Sequence, residues 1–388
     1  MAAGSVPVVP ELVAVLGPPG PAWVDELERR WAAGDAVLPV DHRLPTPAVA
    51  DLFDALQPTV VTEAGSRSDA RRDGRPVEAG DALVLATSGT TGPPKGVVLT
   101  TTAVEAAALA TSARLAVHAE SDAWVCCLPL AHAGGLGVVT RALVTGTPLT
   151  ILPGFDAAAL ASVSSALARE GRTVLTSLVA TALRRVDSTL FRTILLGGDA
   201  PPEWPGGRPP PVVVTYGMTE TGGGCVYDGR ALDGVDVRVV DGQVYLRGPM
   251  LGRAYRGRDG DSALAGADGW FATGDGGRFT PDAGLVVDGR LGDVIVSGGE
   301  KVWPRPVEDV IRGCPGVREV AVIGRPDEEW GQRVVALVVP DPAGPPTLEV
   351  IRDAVRAALP PWAAPKELEL VSALPTTALG KLRRAALQ

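Results

Sequence analysis

The chain has 388 residues, 46 % apolar and 21 % charged, with a net charge of −9. That length suggests two or three domains, and the apolar share supplies a sizeable core and argues against wholesale disorder. The acidic balance repels phosphate, which excludes a general nucleic-acid binder or a surface attracted to anionic membranes.

Residues 1–16 are apolar but lack a basic start and are interrupted by prolines, so neither a signal peptide nor a membrane span is expected. No later stretch is long and apolar enough to insert. The next residues read as a small α/β start: a strand over 36–40, a helix over 47–56, a strand over 59–62 and a polar surface loop over 64–80. Residues 82–86 form a short apolar run, as a buried parallel strand would, followed by a Gly/Thr/Pro loop and a helix over 103–115. Strands over 124–128, 149–152, 174–176, 193–196 and 212–215, with helices over 136–144 and 157–169, continue the alternation. This pattern predicts a covered, mostly parallel sheet. Residues 203–211 are a Pro/Gly-rich loop, and the short strands between 235 and 287 suggest antiparallel hairpins or a distorted barrel. A boundary is expected at 289–293, with a small α+β domain over 294–388. Its elements are a strand (294–297), a helix (306–312), two strands (317–323, 334–339), a helix (348–359), a strand (367–370) and a short basic tail helix.

Cys126, Cys127, Cys225 and Cys314 are too few for a disulfide scaffold and fit no zinc spacing, so a reducing cytoplasm is the expected location. Only four lysines occur (Lys95, Lys301, Lys366 and Lys381), leaving 32 of the 36 basic residues as arginine. A compact ammonium is not interchangeable with a planar fork, so each remaining lysine is informative.

The strongest motif is Thr87-Ser-Gly-Thr-Thr-Gly-Pro-Pro-Lys-Gly96. Its glycines let backbone approach a ligand, its hydroxyls and N–H groups are donors for phosphate oxygens, and Lys95 adds positive charge. A Walker loop is excluded, because Pro94 stands where that pattern has Gly before the Lys. A flexible surface turn is the competing explanation.

This stretch resembles the phosphate-binding signature of the adenylate-forming superfamily, which contains acyl-CoA synthetases, luciferases and peptide-synthetase adenylation domains. Further stretches resemble the family's motifs in order: Leu196-Gly-Gly-Asp-Ala200, Tyr216-Gly-Met-Thr-Glu-Thr221, Gly269-Trp-Phe-Ala-Thr-Gly-Asp275, residues 289–300 and Pro375-Thr-Thr-Ala-Leu-Gly-Lys381. The resemblance implies a large N-terminal domain (1–289) of parallel-type sheets with a small barrel-like part, a hinge at 290–293 pivoting at Gly292, and a mobile C-terminal domain (294–388). It implies ATP, Mg²⁺ and CoA as small-molecule partners, no nucleic acid and no membrane insertion; a homodimer stays open.

Residue by residue, the resemblance implies phosphate contacts from Thr87, Ser88, Gly89, Thr90, Thr91, Gly92 and Lys95. Gly197, Gly198 and Asp199 would flank the adenine with Tyr216, Gly217 and Met218, and Thr219 would touch the α-phosphate. Glu220 would hold Mg²⁺, Asp275 would bind the ribose with Arg290, and Gly298, Gly299, Glu300 and Lys301 would meet CoA. Lys381 would be the catalytic cation. A carboxylate attacking a phosphate is an anion attacking an anion, so positive charge is needed where negative charge builds up. Read without the resemblance, Lys381 is a tail residue beside Arg383 and Arg384, Glu220 a surface charge and Asp275 a turn residue. Two departures stand out. Gly292 occupies a pivot where the family carries Asp or Lys, and Lys301, where Asn is usual, either aids a CoA phosphate or caps a loop.

The short form, with Leu128-Pro-Leu-Ala-His-Ala-Gly-Gly-Leu136, Arg141 and Gly222-Gly-Gly-Cys-Val-Tyr-Asp-Gly229, resembles the o-succinylbenzoate–CoA ligases of menaquinone biosynthesis, their actinobacterial type especially. Such a substrate has a second carboxylate, for which Arg141 is the candidate partner; an interhelix salt bridge is the alternative. His132 would pack on the ring or donate to the reacting carboxylate, and otherwise is a core histidine. Gly134 and Gly135 would leave room for the ring, and Gly222 and Gly223 would line the pocket or make a hairpin. Another aryl- or acyl-CoA ligase, a carrier-loading adenylation enzyme and a non-catalytic sensing relative are the competing functions.

Overall fold

The computed structural model describes residues 9–64, 68–87, 94–198, 201, 204, 207–342, 344–375, 382 and 384–387. By compactness the chain divides into two units. The first is Met1–Val237 with Leu246–Phe271, and the second is Arg238–Tyr245 with Ala272–Gln388. The expected border at 289 therefore falls inside the second unit. Residues 272–290 pack with the chain that follows them: a Cβ on Gly276 would lie inside the Trp303 indole.

The first unit holds two sheets. In the eight-stranded sheet, Leu12–Leu16 lies between Ala36–Pro39 and Val60–Glu63, all parallel. Asp81–Thr87 pairs parallel with Ala36–Pro39 and antiparallel with Lys95–Thr100. Beyond these lie Ala254–Gly257 and Gly260–Ala263, with Ser68–Ala70 at the opposite edge. The helix Thr46–Leu56 buries Leu52, Phe53 and Leu56 against Leu12, Leu38, Val84 and Val98. Each fully buried side chain of this kind contributes roughly 2 kcal/mol.

Three readings are corrected here. The sequence pattern placed no element before residue 36, yet Leu12–Leu16 is an inner strand and Pro21–Ala33 a helix. The Gly/Thr/Pro loop joins two antiparallel strands instead of leading from a strand into a helix; the strand Lys95–Thr100 is short and apolar and abuts the helix Thr101–Arg114 without a break. The stretch taken as a loop over 64–80 contains the edge strand Ser68–Ala70.

The seven-stranded sheet follows the expected alternation. Leu149–Ile151, Asp122–Cys126, Thr173–Leu178, Thr193–Leu196 and Val212–Met218 are parallel, and Gly223–Tyr227 and Arg230–Ala231 close one edge antiparallel. Crossover helices are Ala133–Thr145 and Ala157–Arg169. The Asp156 carboxylate starts the latter by accepting the Ala159 N–H at 2.7 Å.

Asp236–Val240, Gln243–Arg247, Phe271–Thr280 and Gly284–Arg290, most of whose residues belong to the second unit, make a four-stranded sheet, its last two strands antiparallel. No closed barrel forms among the described residues, because Ala254–Gly257 and Gly260–Ala263 extend the eight-stranded sheet instead. The remaining chain is the expected α+β pattern: Ile295–Ser297, Glu300–Val302, Val317–Asp327, Gly331–Pro340 and Glu367–Leu370, with helices Pro304–Arg312 and Leu348–Ala358. Val307, Ile311, Ile351 and Val355 bury their helical faces against Val322, Val334 and Val338. Among the described residues of the tail there is a single turn, Arg384–Ala386. Among the described residues no helix is long and apolar enough to cross a membrane.

Candidate active site

Thr87 and Lys95 stand opposite each other in their hairpin, and the Thr87 hydroxyl donates to the Lys95 carbonyl at 3.2 Å. Ser88, Gly89, Thr90, Thr91, Gly92, Asp199 and Lys381 lie outside the described residues. Gly197 and Gly198 follow the strand Thr193–Leu196, whose parallel neighbour Val212–Met218 carries Tyr216, Gly217 and Met218. Gly217 faces Gly224 so closely that any Cβ would strike the Gly223 carbonyl. This close approach folds the chain back immediately after Thr219 and Glu220.

Those two residues sit in the short turn Thr219–Thr221. Thr221, 1 % exposed, pins the turn: its Oγ1 accepts the Met218 N–H at 3.0 Å and is 2.6 Å from the Gly223 carbonyl. Sequence reasoning gave Thr221 no role, and its β-branched hydroxyl at the end of the motif was the available signal. Glu220 Oε1 accepts the Tyr255 hydroxyl at 2.7 Å. Among the described residues no group of three metal-ligating side chains occurs. One carboxylate fits Mg²⁺ nonetheless, because that ion takes one or two carboxylates together with substrate phosphates and waters.

The residues expected to meet the acid lie on or near the helix Ala133–Thr145. A narrow cleft, with a volume of about 10 Å³, is walled by Leu83, Leu85, Leu99 and Leu136 and by the backbone of Gly137 and Gly222. Arg141 lies beside it. Its guanidinium stacks over the Trp124 ring at 4.8 Å and its Nη2 donates to Ser177 Oγ at 3.2 Å. The Tyr227 hydroxyl, also 3.0 Å from Thr111 Oγ1, is its other polar neighbour. Arg141 is 7 % exposed, and its Nε has no hydrogen-bond partner. Among the described residues no carboxylate pairs with it, so the salt-bridge alternative is set aside. Burial pushes its pKa down, and neighbouring Tyr227 and Cys126 only partly oppose this. Trp124 Nε1 is likewise buried without a partner.

Of the expected glycines, Gly222 is both turn and cleft wall: its φ of +64° ends the turn and its backbone faces the cleft. Gly223 begins the returning strand. Gly134 is exposed and absent from the cleft wall. Gly135 is required by packing, since a Cβ there would run into the Pro129 carbonyl. His132 precedes the helix with a side chain 44 % exposed, so it is no core histidine. Its Nε2 is 3.9 Å from Asp41 Oδ2. Loss of solvation lowers its pKa, against the pull of Asp41, which keeps the imidazole neutral near pH 7. Asp41 is held by Arg43 through bonds of 2.8 and 2.6 Å, which lower its pKa to about 2.

In the second unit, Asp275 and Arg290 face each other across paired strands and form an ion pair at 2.9 Å. Asp275 is 5 % exposed, and its N–H bonds Thr273 Oγ1 at 3.0 Å, so it is a strand residue and not a turn residue. Gly298 and Gly299 both have φ in the left-handed region, and Glu300 and Lys301 are exposed on the following strand. The Gly298 N–H bonds the Trp330 carbonyl at 2.8 Å, and Lys366 caps the Trp330 ring at 3.6 Å. Gly292 lies in the turn Leu291–Asp293, and among the described residues nothing stands within 4 Å of where its Cβ would be. Arg384 is fastened: it bonds both Glu308 oxygens at 2.6 and 2.7 Å and the Val322 carbonyl at 2.8 Å.

Comparison with known proteins agrees with these motifs. Residues 56–256 match the AMP-binding enzyme family and residues 306–381 match the AMP-binding enzyme C-terminal domain. A probable 2-succinylbenzoate–CoA ligase of Mycobacterium tuberculosis is 39 % identical over 363 residues, covering 88 % of this chain and 93 % of the relative. A 2-succinylbenzoate–CoA ligase of Listeria monocytogenes is 34 % identical, covering 79 % and 69 %. Among solved structures, the o-succinylbenzoate CoA synthetase of Bacillus subtilis, in complex with its acyl-adenylate intermediate, superposes with a TM-score of 0.81 at 25 % identity, covering 98 % and 89 %. ATP-bound MatB from Rhodopseudomonas palustris shares the fold with a TM-score of 0.82 at 22 % identity, covering 98 % and 88 %. With matched motifs, matched length and matched fold, the chain belongs to the AMP-binding, adenylate-forming enzyme family, as an AMP-forming acyl-CoA synthetase.

Proposed function

We propose that the protein joins 2-succinylbenzoate to CoA with consumption of ATP, releasing AMP and pyrophosphate, as a step of menaquinone biosynthesis. The observation that carries the choice of acid is Arg141: a buried guanidinium beside an apolar cleft, with one nitrogen unbonded and no carboxylate partner among the described residues. A buried cation left in this state is costly, and a substrate carboxylate offsets that cost with charge-assisted bonds of roughly 1.5–3 kcal/mol each. The apolar walls suit the aryl ring and alkyl chain of the same molecule.

The reaction has two steps. A succinyl carboxylate oxygen attacks the α-phosphorus of ATP, the bond from that phosphorus to the β-phosphate oxygen breaks, and pyrophosphate leaves. The CoA sulfur, having lost its proton, then attacks the acyl carbon, and AMP departs with the former carboxylate oxygen. In the first step Thr219 would orient the α-phosphate and Lys381 would neutralise charge on its oxygens. Glu220, oriented by Tyr255, would hold Mg²⁺. When bound, that ion supplies positive charge to the triphosphate. The Asp275–Arg290 pair would present a carboxylate to the ribose hydroxyls. The exposed Gly298–Lys301 segment would meet CoA in the second step.

The test is thioester formation and ATP–pyrophosphate exchange with 2-succinylbenzoate, benzoates and fatty acids. Exchange strongest with 2-succinylbenzoate, and CoA consumed, is the expected result. Lys381→Ala should lose exchange while retaining more of the thioesterification of preformed adenylate. No exchange with any acid defeats the proposal, and exchange without use of CoA points to a carrier-bound thiol instead.

A further inference from the structure

We propose that Gly137 is the specificity-determining residue of the acid cleft: its missing side chain is the opening through which a substrate's second carboxylate reaches Arg141. The inference rests on the acid-ligase reading above and deepens it. Glycine in a helix interior costs roughly 1 kcal/mol relative to alanine, so a reason for it is needed. Backbone conformation is not the reason, since Gly137 lies within the helix Ala133–Thr145 and is absent from the left-handed positions. Tight packing is not the reason either. A Cβ at Gly137 would stand 3.4 Å from Arg141 Nη2, 3.6 Å from the Gly222 carbonyl oxygen and 3.7 Å from Arg141 Cζ, all ordinary contact distances. Two positions earlier on the same helix, Gly135 has a packing reason, because its Cβ would enter the Pro129 carbonyl.

What an alanine methyl would do at 137 is fill the gap between the guanidinium and the Gly222 carbonyl. Both Gly137 and Gly222 belong to the cleft wall. A methyl there would therefore stand between the cleft and a cation that has no carboxylate partner among the described residues. A substrate carboxylate oxygen bonded to Arg141 Nη2 would rest against the Gly137 Cα, in space that an alanine methyl would close. A carboxylate seated there cannot be replaced by an apolar group without leaving Arg141 unpaired, which makes the gap a discriminator between acids and not only a contact.

The experiment compares 2-succinylbenzoate with the same keto acid lacking the ring carboxylate, as kcat/KM for ATP–pyrophosphate exchange, in the full-length protein, Gly137→Ala and Gly137→Ser. The native protein should prefer the dicarboxylate by roughly 100-fold. Both variants should cut that preference at least about tenfold, through loss on the dicarboxylate, while the Tm of Gly137→Ala stays at or above the native value. If the native protein shows no exchange with 2-succinylbenzoate, the proposed function fails. If the native preference exists and either folded variant keeps it, or if both acids lose rate equally, the role of Gly137 is overturned and the proposed function stands.

Discussion

Arg141 in the first unit is buried and Arg384 in the second is half-buried, and their surroundings treat them in opposite ways. Arg384 has both oxygens of a carboxylate that is itself 5 % exposed, together with the Val322 carbonyl and Asp293 Oδ2 at 3.4 Å. Arg141 has the hydroxyls of Ser177 and Tyr227 and an aromatic face. A third arginine, Arg256, is fully buried and donates to the carbonyls of Leu56, Gln57, Arg75 and Pro76. The contrast separates two uses of one side chain. A saturated guanidinium fastens chain segments to each other, whereas an unsaturated one is built to receive an anion.

Four measurements would break or sharpen that contrast, the largest expected effect first. Glu308→Ala removes the buried carboxylate that binds both Arg384 and the Val322 N–H and should cost roughly 3 kcal/mol of stability in urea unfolding. A loss under about 1 kcal/mol would mean Arg384 fastens nothing. Arg141→Met should behave in the opposite way. Its kcat/KM for the dicarboxylic acid should fall roughly 100-fold while Tm holds or rises, because an unpaired buried charge is removed. A large drop in Tm would place Arg141 among the fasteners.

Asp41 tests a saturated carboxylate at the edge of the same first unit. Arg43 lowers its pKa to about 2 from an ordinary 3.8, so its contribution is fully present above the ordinary value and is lost as pH falls through about 2. The native protein should exceed Asp41→Asn by roughly 1–2 kcal/mol at pH 5, with the gap closing toward pH 2. A gap that is constant across this range would show that Arg43 does not act on the charge. The smallest effect concerns the thiols. Burial pushes Cys126 and Cys225 up to about 12 and Cys127 to about 11. A soluble maleimide at neutral pH should leave these three unmodified in the folded protein and label them after denaturation; rapid labelling in the native state would show that the sheet opens.

Much of the second unit was legible in the sequence. Its helices carry strongly one-sided apolar faces, and the strand Glu367–Leu370 falls at the expected residues. The edges were less legible. Lys95–Thr100 was hidden because a short apolar strand abutting a helix has no turn to mark it, and Ser68–Ala70 because a three-residue edge strand carries little pattern. The motif residues of the nucleotide site could be named because glycines, hydroxyls and isolated charges are local signals. Thr221, Trp124, Ser177 and Tyr227 could not be, since their roles come from neighbours distant in the chain.

The sequence by itself determined the family and most of the elements, because chemistry at a phosphate demands particular residue types in a particular order and burial imposes periodicity. It also supplied Arg141 and Gly137 as letters. Only the tertiary structure decided their meaning: whether an arginine ends beside a carboxylate, and whether a glycine is required by backbone, by packing or by neither. Those answers depend on which strands and helices are brought together across the sheet, and no local pattern carries that information.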